Sequence, residues 1–221
     1  MEVRAEGPNG KNLTVASDVV LVCVGRRPYT IGLNLEAIGV KSDKAGRIEV
    51  DNQYRTNVSN VRAIGDVIKG PMLAHKAEED GVACVEAILG HGPGMFDYNL
   101  VPGVIYTHPE LATVGKTEAA LKAEKIPFQK GVFPYMANSR ARCNQETDGF
   151  VKVLRDTKTD KILGGSILGA TAGESIQELV VAIKAGMTAG DLGELVHAHP
   201  TLSEATKEAA LKAQNNIAIH I

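Results

Sequence analysis

His197-Ala198-His199-Pro200-Thr201-Leu202-Ser203-Glu204 sets an imidazole five residues ahead of a carboxylate, at the mouth of an amphipathic helix. A neutral imidazole, with a pKa near 6.5, takes and returns protons around neutrality. A carboxylate bonded to its other nitrogen fixes the tautomer and stabilises the imidazolium. Such a couple suits a reaction that must generate a thiolate, the reactive form of a thiol. The same residues carry plainer readings. Thr201-x-x-Glu204 is a capping box, in which the glutamate returns to the backbone N–H of the cap. His197 and His199 share a face of an extended segment, as metal chelators do, but no cysteine or third histidine lies nearby, so no metal is assigned. Ser203 beside His199 invites a hydrolase reading, but it lacks the glycine pattern of a nucleophile elbow and fits the first turn of a helix.

Patterning along the chain predicts the elements that must position these residues. Residues 1–17 are polar, with a turn signal at Gly7-Pro8-Asn9-Gly10. Asp18–Val24 is a continuous apolar run that reads as a buried strand. Asn57–Gly65 reads as a second, short strand ending before Asp66. Pro71–Leu89 follows as a helix, on which Leu73, Ala77, Val82, Val85 and Ile88 recur at helical spacing. After Gly92-Pro93-Gly94, a candidate domain boundary, strands are predicted at 104–106, 128–135, 150–154 and 162–168. Helices are predicted at 116–124, 173–185 and 203–215. Grouped strands and then helices indicate an α+β domain with an antiparallel sheet, following an α/β segment.

Composition narrows the function classes. The chain of 221 residues carries a formal net charge of -2, so it has no basic field to hold nucleic acid. It has no apolar run long enough to span a bilayer and no charged-then-apolar leader at Met1. Cys23, Cys84 and Cys143 are far apart and odd in number. That argues against a disulfide framework and against a local redox pair, and for a reducing compartment.

Six segments, in order, resemble the dihydrolipoamide dehydrogenase branch of the flavin disulfide reductases. They are Val22–Pro28, Ala63–Val67, Pro71–Glu78, Val104–Glu110, Ala137–Ala141 and the His197–Glu204 run. Each is weak alone; together, in the same order, they span nearly the whole chain. The resemblance implies that residues 1–45 end an NAD-binding domain, 46–93 are the returning segment of an FAD-binding domain, and 94–221 are an interface domain. It implies oxidation of dihydrolipoamide and reduction of NAD+ through a disulfide and FAD. It also implies a homodimer acting on dihydrolipoamide held by an acyltransferase or carrier protein of 2-oxo acid dehydrogenase or glycine cleavage complexes. The compartment would be the mitochondrial matrix in a eukaryote and the cytoplasm in a bacterium. The chain departs from the pattern in having no G-x-G-x-x-G loop and no close cysteine pair, so it reads as the C-terminal part of such an enzyme. A stand-alone dimerisation module, a glutathione-reductase-like relative and a Ser203 hydrolase stay open beside this reading.

The resemblance also assigns residues. His199 becomes the base that deprotonates dihydrolipoamide across the dimer interface, with Glu204 as its partner. Asp66 meets the ribityl chain of FAD, where Gly65 lets the backbone come close. Met72, Leu73, Ala74 and His75 face the flavin through backbone groups at a helix start, where free N–H donors and a positive dipole end suit an electron-rich ring. Gly25 lies beside NAD. Without the family, Asp66 is an Asx turn or cap, residues 72–75 an ordinary helix start, and Gly25 a tight turn.

Overall fold

The computed structural model describes residues 1–220. It contains two compact units, Met1–Met72 and a second that begins at Leu73. In the first, the polar N-terminal stretch folds as an antiparallel hairpin of β1 (Glu2–Glu6) and β2 (Asn12–Ala16). The turn signal at residues 7–10 makes its corner. Gly10 takes φ 68° and donates to the Gly7 carbonyl at 2.9 Å, a backbone shape that an ordinary side chain would strain.

Two expected strands of this unit are absent. Asp18–Val24 forms no strand, and Leu21, Val22 and Val24 stand 82%, 79% and 88% exposed. An apolar run becomes a strand only when a neighbouring edge takes up its N–H and C=O groups, and this segment pairs with none among the described residues. Asn57–Gly65 is likewise no strand. Its backbone closes locally, with Val61 N–H donating to the Val58 carbonyl at 2.9 Å, leaving one isolated bridge between Arg55 and Arg62. A single 3-10 turn follows at Gly65–Val67. Asp43 and Asp51 fold the rest of this region by accepting backbone N–H groups two and four residues ahead, the habit that favours Asp in turns. Tyr54 and Ile68 are fully buried.

The second unit opens with α1 (Ala74–Leu89), ended by Gly90 at φ 74°. The helix is where periodicity placed it, but the apolar stripe faces outward. Val82, Val85 and Ile88 are exposed, while Lys76, Asp80, Cys84 and Ala87 are buried. The charged face is tolerated inside because it is paired. Lys76 Nζ lies 2.6 Å from Asp80 Oδ2, Tyr98 Oη donates to Asp80 Oδ1 at 2.8 Å, and the ammonium sits 4.8 Å from the Tyr98 ring centre.

A five-stranded antiparallel sheet then forms in the order β3 (Gly103–Ile105), β4 (Glu110–Gly115), β7 (Ile162–Gly169), β6 (Phe150–Asp156), β5 (Phe128–Pro134). Across it, Ala112, Ile167, Val151 and Phe133 pair in register on one face and are buried, as the two-residue strand period requires. The helices α4 (Ala172–Ala185) and α6 (Glu204–Asn215) pack on that face, α4 against β4 and β7, α6 against β5 and β6. The opposite face carries Lys152, whose ammonium bonds Glu118 at 2.9 Å in α2 (Glu118–Ala123). The remaining short helices, α3 (Ser139–Asn144) and α5 (Ala189–Glu194), and strand β4 were not anticipated from pattern.

The seat of α6 is set by small residues. Ala205, Ala209, Ala210 and Ala213 are its buried apolar side chains, and Gly131 of β5 lies beneath it. A Cβ at Gly131 would stand 2.0 Å from the Ala209 carbonyl oxygen. Alanine on the helix and glycine on the strand bring the two backbones into contact and hold the N-terminus of α6, with Glu204, at one position over the sheet.

Candidate active site

Glu204 is the first residue of α6, and the loop before it is tied down from several sides. The Thr201 hydroxyl donates to the Ala198 carbonyl at 2.8 Å, and the Asn138 amide donates to the Thr201 carbonyl at 2.9 Å. Lys207 Nζ reaches back to the Leu195 carbonyl at 3.0 Å. The His199–Pro200 peptide bond is cis. Between these ties His199 projects outward with its side chain 62% exposed, and its Nδ1 lies 2.8 Å from Glu204 Oε1.

The other oxygen of Glu204 accepts the Thr201 backbone N–H at 2.7 Å. The carboxylate thus serves a backbone N–H on one oxygen and the histidine on the other. The capping-box expectation is corrected in part: the bond to the Thr201 N–H forms, but α6 begins at Glu204 with Ser203 as its cap, and the Thr201 hydroxyl turns to Ala198. Partial burial pushes the Glu204 carboxyl up, but the Thr201 N–H, the His199 ring and the charge of His220 outweigh it and hold the group below its ordinary value. An ionised Glu204 accepts a proton-bearing Nδ1, which leaves the lone pair on Nε2. No protein group hydrogen-bonds Nε2 among the described residues. An oriented, solvent-facing imidazole with its acceptor nitrogen open is arranged to take a proton from an incoming acid.

His197 is drawn elsewhere. Its Nε2 lies 2.7 Å from Glu178 of α4 and its Nδ1 3.1 Å from the Leu195 carbonyl, with only 9% of the side chain exposed. The two histidines thus engage different carboxylates and anchor the loop at two points. Ser203 makes no hydrogen bond to His199 among the described residues, and the His199 Nε2 faces outward instead.

The cofactor candidates lie in other segments. Gly25 has φ 78° with open space where a Cβ would stand. Asp66, 37% exposed at its side chain, meets Arg26 at 3.5 Å, and Gly65 before it takes φ 73°. Met72 and Leu73 lead into α1, whose N-terminus receives no side-chain cap from Leu73 and so presents its first N–H groups. Ala74 and His75 are exposed, and His75 Nε2 bonds the Pro102 carbonyl at 2.9 Å. The uncapped helix start suits an electron-rich group, while the Asp66 carboxylate after a left-handed glycine can accept hydrogen bonds from hydroxyls.

Three participants escaped the sequence reading: Asn138, Glu208 and His220. Asn138, almost fully buried, caps α3 by accepting the Ala141 N–H at 2.9 Å while its amide holds Thr201. An asparagine before a short helix is a recognisable cap; its second bond crosses the fold. Glu208 lies one helical turn after Glu204, a spacing that puts both on one face. His220 carried no signal, because only the return of the chain brings it to Glu208.

Residues 101–210 match the dimerisation domain of the pyridine nucleotide-disulphide oxidoreductases, and residues 2–81 match the pyridine nucleotide-disulphide oxidoreductase domain. Among relatives, dihydrolipoyl dehydrogenase 2, mitochondrial, of Arabidopsis thaliana is 58% identical over 207 residues, covering 94% of this chain and 40% of its own length. The mitochondrial dihydrolipoyl dehydrogenase of Mus musculus is 53% identical over 204 residues, covering 92% and 40%. The chain thus spans about 40% of the length of the curated relatives it matches. Among solved structures, LpdA from Mycobacterium tuberculosis superposes with a TM-score of 0.83 at 27% identity, over 96% of this chain and 45% of that one. The HOCl-induced flavoprotein disulfide reductase RclA from Escherichia coli gives 0.80 at 28% identity, over 95% and 48%. The two matched domains, in order along the chain, show that the chain belongs to the pyridine nucleotide-disulphide oxidoreductase family, and within it the chain is similar to dihydrolipoyl dehydrogenases.

Proposed function

We propose that these 221 residues are the C-terminal portion of a dihydrolipoamide dehydrogenase, in which His199 is the acid/base group for dithiol oxidation and Glu204 its partner. The observation that carries this reading is the 2.8 Å contact between His199 Nδ1 and Glu204 Oε1, with Nε2 facing outward. Nε2 takes the proton of a dihydrolipoamide thiol and so makes the thiolate that reacts. Glu204 holds the Nδ1 proton and stabilises the imidazolium until the proton leaves. The dithiol loses two electrons and two protons in becoming a disulfide, and the imidazole is the relay for the protons.

FAD, when bound, supplies the two-electron carrier between dithiol and NAD+. This chain offers it Asp66, as an acceptor for hydroxyl groups, and the open N–H groups at Met72–His75. Gly25 leaves room beside NAD. A close cysteine pair and the Gly-rich phosphate loops are not among these residues, so in this reading they belong to the rest of the enzyme. Residues 1–45 close the NAD domain, 46–93 return to the FAD domain, and 94–221 form the interface through which one protomer lends His199 to its partner. The substrate is dihydrolipoamide on an acyltransferase or carrier protein of a 2-oxo acid dehydrogenase or glycine cleavage complex, in the mitochondrial matrix or a bacterial cytoplasm.

In the assembled enzyme, His199→Gln keeps a polar side chain but cannot exchange a proton near neutrality. Dihydrolipoamide oxidation should fall by about two to four powers of ten, while the flavin absorbance of the purified protein stays unchanged. Near-normal turnover would return His199 to a structural role.

A further inference from the structure

After α6 the chain does not run off the sheet. Asn216 ends the helix in a left-handed turn, and the tail folds back with Ala218 buried in the core cluster. One residue grips it. Glu208, buried to 3% at its side chain, accepts the Ile219 N–H at 2.6 Å on one oxygen and meets His220 Nδ1 at 2.5 Å on the other. This repeats, one helical turn along α6, the arrangement at Glu204: one oxygen on a backbone N–H, the other on an imidazole. His199, Glu204, Glu208 and His220 line a single cavity, walled by Phe133 and Asn138.

We propose that Glu208 and His220 form a second carboxylate–imidazole couple that sets the charge balance around His199, making the C-terminal tail part of the acid/base site. The inference rests on the reading of His199 as the base. Two carboxylates four residues apart on a helix repel one another, and both bear on the charge that His199 gains when it takes a proton. His220, when protonated, offsets Glu208, and its charge already reaches Glu204. The other charged groups are engaged elsewhere: His197, in the same loop, is paired with Glu178 of α4, and Arg142 of α3 donates to the Met136 carbonyl. Phe133 and Asn138, on the β5 and α3 side, are uncharged. Arg155 of β6 is engaged with the Ala213 and Gln214 carbonyls at the far end of α6. Asp191 of α5 is held in its own cap by Thr188, and Lys207 of α6 by the Leu195 carbonyl.

The charge argument gives opposite signs for the two partners. His220→Gln removes a cation and leaves Glu208 facing the site. Glu208→Gln removes an anion while its amide oxygen still accepts the Ile219 N–H. The imidazole of His199 can be titrated by NMR in the 221-residue chain, parent and variants alike. The expected result is a midpoint that moves up in His220→Gln and down in Glu208→Gln, each by roughly half a pH unit. A loosened tail would move both variants the same way, and that outcome, or no movement in either, overturns the proposal. His220 is half exposed, so its variant folds even if the Glu208 variant does not, and an unmoved midpoint there alone refutes the coupling. In the assembled enzyme the acid limb of the dithiol-oxidation pH profile should follow the NMR midpoints. If the midpoints move in opposite directions while turnover is indifferent to His199→Gln, the charge coupling stands and the assignment of His199 as the base falls.

Discussion

Glu204 performs two tasks because its two oxygens point to different partners, Thr201 N–H and His199 Nδ1. Its carboxyl is held below the ordinary value of 4.5, so its contribution to stability is fully present above about pH 4.5 and is lost as the pH falls through the lowered folded value. Replacing it with Gln should cost about 1 kcal/mol at pH 7, and the gap in melting temperature between parent and variant should close as the pH is taken down past 4. A gap that stays constant across that range would mean the charge of Glu204 is not what stabilises the loop. Tyr135 is the converse case. Its ring fills the space above Gly169, where a Cβ would stand 2.1 Å from the ring. Its hydroxyl is buried with no hydrogen-bond partner among the described residues, and burial pushes its pKa up to about 12. The folded protein therefore loses stability as the pH rises from 10 toward 12, where the unfolded chain ionises first. Tyr135→Phe removes an unsatisfied polar atom and keeps the ring. It should leave stability at pH 7 unchanged or raise it by up to about 1 kcal/mol and should flatten the alkaline fall in melting temperature. A loss beyond about 1 kcal/mol would show that the hydroxyl has a partner.

At the scale of elements, the site is the meeting of a loop, three helices and a sheet edge. Glu178 of α4 holds His197, Asn138 at the start of α3 holds Thr201, and α6 supplies Glu204 and Glu208. Asn138 joins the fold to the loop, since one side chain caps α3 and bonds residue 201. Asn138→Ala forfeits a helix cap and leaves the Thr201 carbonyl without this donor, at a cost of roughly 1–3 kcal/mol. Hydrogen exchange should show residues 197–203 opening more readily in the variant while the sheet amides keep their relative order. Unchanged protection of that loop would assign its rigidity to the His197 and Lys207 ties instead.

Over the whole molecule, the described residues leave much apolar surface uncovered. Val82, Val85, Ile88 and Leu89 line one side of α1, and Val19 to Val24 form a second exposed stretch. Apolar patches of this kind mark surfaces that meet other protein. Residues 101–210 match a dimerisation domain, and a closed two-fold pair would give two equivalent sites. Size-exclusion chromatography with light scattering should therefore find the 221-residue chain as a dimer at micromolar concentration. A strictly monomeric, well-folded species would refute self-pairing by this chain and leave His199 without a partner protomer to serve. No helix among the described residues is long and apolar enough to cross a membrane.

What could be read from sequence alone was local. The apolar segments that became β5, β6 and β7, and the helical patterns of α1, α4 and α6, lie within single stretches, and the elements form there. The His199–Glu204 couple was legible for the same reason, its partners being five residues apart around a helix start. Strand β4 was hidden because Glu110–Gly115 is short and mixes charged, small and apolar residues, and α5 because Gly190 and Gly193 dilute its pattern. Tertiary structure alone decided which faces are covered. Asp18–Val24 has every local mark of a buried strand but joins no edge among the described residues, and α1 buries an ion pair where its apolar stripe was expected. It also decided the bonds that complete the site: Glu208 to His220 across 12 residues, His197 to Glu178 across 19 and Asn138 to Thr201 across 63. Such pairs leave no periodicity in the chain, because their separation is set by where helices and strands come to rest on one another.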